Sequence, residues 1–243
     1  MTIRIAMWSG PRNISTAMMR SFENRPDTAV VDEPFYAAYL LETGLDHPMR
    51  DAVLASQPTD RSAVIRTLSG PGPSGTEVFY QKHMTHHIPP GADIDWTAHC
   101  RNAFLIRQPE PVLASYAVKR EDVTLADIGF ERQAELFDRE CDRLGHAPPV
   151  VEGRDVLTSP RAMLNRLCEA LQISFSETML AWPPGPRDSD GVWAPAWYDA
   201  VERSTGFAPP VSEARPALAG HLQAIADAAR PFYDRLAAHR LCL

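Results

Sequence analysis

The first sixteen residues constrain the fold more than any other part of the chain. An apolar run, Ile3–Trp8, leads into the polar turn Ser9-Gly10-Pro11-Arg12-Asn13-Ile14, and an amphipathic pattern begins at Ser15-Thr16. This order predicts a strand, a tight loop and a helix. Such a unit directs backbone N–H groups and the positive end of a helix dipole at one point, where phosphate or sulfate binds. The alternative is an ordinary strand-to-helix turn in which Asn13 or Ser15 caps the helix.

The loop differs from the P-loop of kinases, G-x-x-x-x-G-K-S/T. It has no second glycine and no lysine before Ser15-Thr16, and Arg12 is its only cation. An anion held by this loop would therefore be neutralised by Arg12.

Length and composition set the class of protein. The 243 residues suffice for one α/β domain, and we expect a single domain over residues 1–243. A formal net charge of −7 disfavours nucleic acid and anionic membranes as partners, so individual cations must hold an anionic ligand. No apolar run has the length of a membrane span or a signal peptide. Four cysteines without C-x-x-C spacing fit a cytoplasmic location.

Short β-rich runs alternate with helical patterns along the chain. This alternation predicts a three-layer α/β fold with a mostly parallel central sheet and flanking helices. The predicted strands are Ile3–Trp8, Thr28–Asp32, Val78–Met84, Asn102–Ile106 and Pro149–Glu152. The predicted helices begin near Ser15, Pro34, Pro109, Phe130 and Ser159, and a last one spans about Ala217–His239. We also predict loops at Ser69–Gly75 and Pro183–Pro195; a long loop such as the second is often a lid or binding segment.

Charged side chains follow the predicted strands. In open α/β sheets ligands bind beyond the carboxyl ends of the strands, where a general base could meet the bound anion. Glu33 directly follows the second strand and is our first choice for the base. A glutamate before a proline also suits a helix start, where it complements the dipole.

The third predicted strand carries a second set of candidates. His86, with His83 and His87 nearby, is the reserve base, because an imidazole titrates near neutral pH. Lys82 could stabilise charge on a transferred group or, alternatively, form a surface salt bridge. The sequence offers no third ligand at a suitable spacing, so we do not predict a metal site at these histidines.

The fourth predicted strand ends at Arg107, and a proline-initiated helix then brings Ser115 two turns further on. An arginine fork and a serine hydroxyl together suit a second phosphate group. The usual alternative for an arginine at a strand end is a structural ion pair.

These two anion-binding segments resemble motifs of the sulfotransferases that use 3′-phosphoadenosine 5′-phosphosulfate (PAPS). The loop Ser9–Thr16 is similar to the family's 5′-phosphosulfate loop, with Arg12 where many members carry lysine. Arg107 and Ser115 have the spacing of the arginine and serine that grip the 3′-phosphate. The resemblance covers the first half of the chain well and the second half weakly.

The acidic and basic strand ends extend the resemblance. Asp32-Glu33-Pro34 is similar to the position that some bacterial members use as the base, and Lys82 with its histidines resembles the strand end of other members. The resemblance implies a P-loop NTPase-like fold and in-line transfer of a sulfonate from PAPS to the hydroxyl or amine of a small acceptor. A sulfonate carries less charge than a terminal phosphate, so we expect no metal requirement.

The resemblance also implies a role for each candidate residue. Glu33, Lys82, His86 and Arg12 would be catalytic. Arg107 and Ser115 would hold the 3′-phosphate. The 5′-phosphosulfate would be cradled by Ser9, Gly10, Pro11, Arg12, Asn13, Ile14, Ser15 and Thr16.

The chain departs from the family pattern in several places. Gln108 stands where an aspartate is common, and Glu110 adds negative charge near the proposed phosphate. The family's C-terminal Arg-Lys-Gly loop is absent as such, with Gly191–Trp193 and Arg203–Phe207 as possible substitutes. Trp193, Trp197 and Tyr198 could stack on adenine, line an acceptor pocket or simply pack the loop.

Two other functions remain open from the sequence. One is a nucleotide-dependent kinase, which would need Mg²⁺ and which the missing Gly-Lys disfavours. The other is a nucleotide-binding module without turnover.

Overall fold

One five-stranded sheet forms the centre of the computed structural model, which describes residues 2–118, 120, 122–210 and 216–243. The strands lie in the order β2-β3-β1-β4-β5, and all their pairings are parallel. Each strand bound agrees with its prediction to within about one residue. The strands are β1 (Ile3–Ser9), β2 (Thr28–Asp32), β3 (Val78–Met84), β4 (Arg101–Ile106) and β5 (Val150–Glu152).

Helices cover both faces of this sheet. They are α1 (Ser15–Glu23), α2 (Tyr36–Thr43), α3 (Arg50–Ser56), α4 (Arg61–Ser69), α5 (Pro109–Tyr116), α6 (Leu125–Ile128), α7 (Phe130–Leu144), α8 (Gly153–Thr158), α9 (Pro160–Ala170), α10 (Ala194–Trp197), α11 (Asp199–Glu202) and α12 (Gly220–Ala237). Within the described ranges, three 3₁₀ turns lie at Thr85–His87, Asp95–His99 and Glu177–Leu180.

The side chains of β1 alternate between two buried cores, one on each face of the sheet, which explains the three layers. Ile5 and Met7 are fully buried on one face, in a core shared with α1 and α9. Ala6 and Trp8 are buried on the other face, in a core shared with α5, α7 and α12. Because successive side chains of a strand point to opposite faces, a central strand with helices on both sides must be apolar throughout. This architecture confirms the predicted fold class.

Six helices of the described residues were not predicted: α3, α4, α6, α8, α10 and α11. Asp60 caps α4 by accepting hydrogen bonds from the backbone N–H groups of Ser62 and Ala63. Val64 and Leu68, one helical turn apart, are its buried side chains. Both signals are present in the sequence, so α4 was predictable. The last helix begins at Gly220, three residues later than predicted.

Within the described ranges, no helix has both the length and the apolarity needed to cross a membrane. All four cysteines are free thiols.

Candidate active site

The loop after β1 is held in a special backbone conformation. A Cβ on Gly10 would lie 2.7 Å from the carbonyl oxygen of Ile128, so only glycine fits there. Arg12 (φ 57°) and Ile14 (φ 41°) adopt the left-handed region, which is uncommon for non-glycine residues. Asn13 anchors the turn, since its Nδ2 donates to the carbonyl of Leu105 at 2.7 Å.

This loop leaves the start of α1 free for a ligand. The residue at the cap is Ile14, and no side chain among the described residues caps the helix. The alternative of an Asn13 or Ser15 cap is therefore wrong. Uncapped N–H groups at the positive end of a nine-residue helix form a ready anion site.

Three residues predicted to bind phosphate come together beside this helix start. Arg12 Nε donates to Ser115 Oγ at 2.8 Å, and Arg107 Nη1 donates to the carbonyl of Arg12 at 2.6 Å. Burial lowers the pKa of both guanidinium groups, and the charge of Arg12 lowers that of Arg107 further. We call the loop Ser9–Thr16 with Arg107 and Ser115 the phosphate end of the site.

The acidic side chains near the phosphate end are hydrogen-bonded to residues of α12. Glu110, which departs from the family pattern, accepts from Arg230 of α12 at 2.5 Å. Glu152 at the end of β5 accepts from Tyr233 Oη at 2.8 Å, and burial raises its pKa to about 7. The negative charge of Glu152 raises the pKa of Arg107, so the carboxylate and the guanidinium are close enough to interact electrostatically. Sequence reasoning missed Glu152, although it also ends a strand.

Glu33 belongs to a buried network at the end of β2 and β3. Lys82 is 1% exposed and donates all three ammonium protons, to Asp32 Oδ1 at 2.8 Å, Glu33 Oε1 at 2.7 Å and Tyr198 Oη at 2.7 Å. Tyr198 Oη in turn donates to Asp32 Oδ2 at 2.6 Å. We call Asp32, Glu33, Lys82 and Tyr198 the base end of the site.

The electrostatics of the base end favour a proton acceptor. One cation faces two carboxylates. Burial raises the pKa of Glu33, and the charge of Asp32 raises it further against the opposing effect of Lys82. The pKa of Lys82 is raised by both carboxylates despite its burial, so the ammonium stays charged. The alternative of a surface salt bridge for Lys82 is wrong, because the ion pairs are buried.

The histidines take positions that the sequence did not distinguish. His87, not His86, adjoins Glu33, with Nδ1 4.0 Å from Oε2. The ring of His87 stacks between Tyr36 and Tyr39, with centroids 4.6 and 4.8 Å away. His86 packs edge-on against His87, and burial lowers its pKa to about 3. Among the described residues, no group of three or more His, Cys, Asp or Glu side chains could hold a metal.

The loop Pro183–Pro195, for which the sequence suggests a lid or a binding segment, is fastened to α1 and to the base end. Asp190 forms an ion pair of 2.6 Å with Arg20, which is 1% exposed, and Gly191 N donates to Asp32 at 3.2 Å. Trp193 is 1% exposed and donates to Tyr198 Oη at 3.0 Å. Trp193 and Tyr198 thus pack the segment, whereas Trp197 is half-buried and stacks on Tyr116 at 6.3 Å.

The proposed substitutes for the missing C-terminal loop lie elsewhere. Gly191–Trp193 contacts Asp32 and Tyr198 at the base end. Arg203–Phe207 packs on Ala181-Trp182 through a bridge between Ala181 and Gly206. Asn24, just after α1, donates to the carbonyl of the same Ala181, so this segment lies at the end of α1 away from the loop. Neither contacts Arg107 in the described hydrogen bonds.

A three-layer α/β fold with a tight loop between its central strand and a helix defines a P-loop-like class of protein. The family model described as "Sulfotransferase domain" matches residues 3–240, and the chain belongs to this family of transferase enzymes.

Solved sulfotransferase structures share the fold. The sulfotransferase from Alicyclobacillus acidocaldarius superposes with a TM-score of 0.60 at 14% identity, covering 100% of this chain and 98% of that one. The sulfotransferase domain of the Synechococcus PCC 7002 olefin synthase gives a TM-score of 0.53 at 17% identity, over 93% and 94% of the two chains.

Curated relatives are similar in sequence but much longer. Branched-chain-amino-acid aminotransferase-like protein 1 of Arabidopsis thaliana is 34% identical over 235 residues, which are 97% of this chain and 42% of that protein. Branched-chain-amino-acid aminotransferase-like protein 2 of the same plant is 34% identical over 85% of this chain and 36% of that protein. The chain spans less than half of either relative, so their names describe proteins with much additional sequence.

Proposed function

We propose that this enzyme transfers a sulfonate group from PAPS to the hydroxyl, or amine, of a small acceptor by in-line displacement. The observation that carries the proposal is the contact of Arg12, Arg107 and Ser115 beside the uncapped start of α1. Two partly desolvated guanidinium groups repel each other unless an anion lies between them. A donor with phosphates at both its 5′ and 3′ ends fits such a pair of cations.

The residues divide the chemistry between two ends. PAPS supplies the activated sulfonate, whose bond to the phosphate oxygen breaks as the acceptor oxygen bonds to sulfur. Arg12 and the backbone N–H groups of Ser9–Thr16 bind the 5′ end, while Arg107 and Ser115 bind the 3′-phosphate. Glu33 takes the acceptor proton on Oε2, because Oε1 is held by Lys82.

Lys82 and His86 have supporting roles in this proposal. Lys82 orients Glu33, and a contact with the sulfonate would exchange one of its three present hydrogen bonds. His86 stays the reserve base, although its low pKa makes it a weak one. The four free thiols agree with a reducing, cytoplasmic setting, which forms part of the same proposal.

Thermal unfolding tests the donor site. The protein is heated with 3′-phosphoadenosine 5′-phosphate (PAP), ADP or ATP, each with and without Mg²⁺. A ligand at one hundred times its Kd should add about 2.7 kcal/mol to the free energy of unfolding. Stabilisation by PAP that is indifferent to Mg²⁺ is expected. Stabilisation only by ATP with Mg²⁺ would instead indicate a kinase, and no shift with any nucleotide would contradict the donor assignment.

A further inference from the structure

An open cavity of about 770 Å³ lies on the far side of Tyr36 and His87 from Glu33, and the proposed function does not account for its charge. Its lining runs from Asp46 to Ala52 and includes Arg120. The volume lies within the range of small-molecule sites in proteins.

Aromatic contacts connect this cavity to Glu33. His47 of the cavity wall shares a 2.9 Å hydrogen bond with Tyr36 Oη. Tyr36 stacks on His87, which adjoins Glu33. Two side chains, Tyr36 and His87, therefore connect the cavity wall to the proposed base.

The cavity wall is rich in N–H donors. Arg50 Nε and His47 Nε2 are both buried and have no hydrogen-bond partner among the described residues. If the phenol of Tyr36 donates to His47 Nδ1, the proton of the neutral imidazole is on Nε2, which then is a donor. Arg120 donates to the backbone carbonyl of Asp46 at 3.3 Å.

The acidic groups of the lining face solvent instead. Asp51 lies 3.5 Å from Arg50, but its side chain is 99% exposed, and Asp46 is exposed too. Exposed ion pairs are screened and contribute little. Arg50 and Arg120 therefore keep most of their capacity to bind an anion.

We infer that this cavity holds the carboxylate of the acceptor, between Arg50 and Arg120, and that the substrates are small hydroxy acids. The substrate class rests on the proposed function, whereas the carboxylate site itself does not. Guanidinium forks match carboxylate geometry and bind it in charge-assisted hydrogen bonds. The hydroxyl of an acid long enough to pass Tyr36 and His87, such as 4-hydroxyphenylacetate, would extend toward Glu33.

Matched pairs of acids and methyl esters test the inference. Binding of glycolate, 3-hydroxybutyrate and 4-hydroxyphenylacetate is measured by calorimetry on the full chain without nucleotide, beside their methyl esters. At least one acid should bind about tenfold or more tightly than its ester. Arg50→Gln and Arg120→Gln should each weaken that acid about 10- to 100-fold and leave its ester unchanged. The control is Arg66→Gln, on the exposed surface of α4 outside the cavity lining.

The outcomes separate this inference from the proposed function. Acids that bind no better than their esters, or variants that weaken acid and ester alike, would overturn the carboxylate site even if PAP stabilises the protein. Acid binding that depends on both arginines, without any effect of PAP, would support the carboxylate site and contradict the proposed donor. With both ligands bound, PAPS turnover of the acid should lose its preference over the ester in the two arginine variants.

Discussion

The two ends of the site handle charge in opposite ways. At the phosphate end, Arg12 and Arg107 lie together, and the carboxyl groups around them are bonded to Arg230 and Tyr233. At the base end, Lys82 is fully engaged by Asp32, Glu33 and Tyr198. The first arrangement brings two positive charges together, while the second pairs one cation with two carboxylates. Substitutions at the phosphate end should therefore change ligand binding, and those at the base end should change turnover or stability.

The largest expected effect is on turnover. Glu33→Gln should lower kcat about 100- to 10,000-fold, because general bases contribute that much, while PAP affinity stays unchanged. The matched control is Asp32→Asn, which removes the other carboxylate from Lys82. An Asp32→Asn variant that loses as much turnover as Glu33→Gln would show that balance of charge, and not proton transfer, explains the loss.

The same substitution has a pH signature. Because the pKa of Glu33 is raised, kcat/KM should increase with pH through a value above the ordinary 4.5. Glu33→Gln should abolish this rise of kcat/KM with pH. A rise with the same pKa in the variant would assign the base to another group.

The next effect is on stability. Lys82→Met leaves two buried carboxylates without their cation, which should lower the free energy of unfolding by about 3–5 kcal/mol in urea titrations. Adding Asp32→Asn to Lys82→Met should recover part of the loss. A Lys82→Met variant as stable as the wild type would mean that the network is not balanced by Lys82.

At the phosphate end, Arg107→Gln should weaken PAP binding about 10- to 100-fold in calorimetry. Its folding should be nearly unaffected, because the guanidinium is poorly solvated and is repelled by Arg12. Arg101→Gln, at the opposite end of β4, is the control and should bind PAP normally. Equal loss in both variants would locate the nucleotide elsewhere.

The smallest effect concerns Glu152. A pKa raised to about 7 in the folded protein means that its stabilising contribution is complete below 4.5 and is lost as pH rises through 7. Glu152→Gln should therefore gain about 3 kcal/mol over the wild type at pH 8 and little at pH 4.5. A gain that does not vary with pH would contradict burial of the ionised carboxyl.

The sequence was sufficient to predict whatever depends on local pattern. All five strands, the loop after β1 and the juxtaposition of Arg12 with Arg107 and Ser115 follow from apolar runs and from the rule that parallel strands end at one edge. The predicted roles of these residues, Glu33, Lys82 and His86 stay predictions.

Contacts between residues far apart in the chain could not be predicted from the sequence. Tyr198 meets Lys82 from 116 residues away, and Asp190 meets Arg20 from 170 residues away. The choice between His86 and His87 depends on the 3₁₀ turn Thr85–His87, where one residue changes the direction of a side chain. No periodicity encodes such contacts, because they depend on how separate elements pack.

The left-handed backbone of Arg12 has a consequence for protein engineering. A glycine there would adopt φ 57° without steric cost and would also remove a desolvated charge. A library of variants sorted only for heat resistance should therefore enrich glycine at this position. If the proposed function holds, such a selection would yield a more heat-resistant protein that binds the donor more weakly.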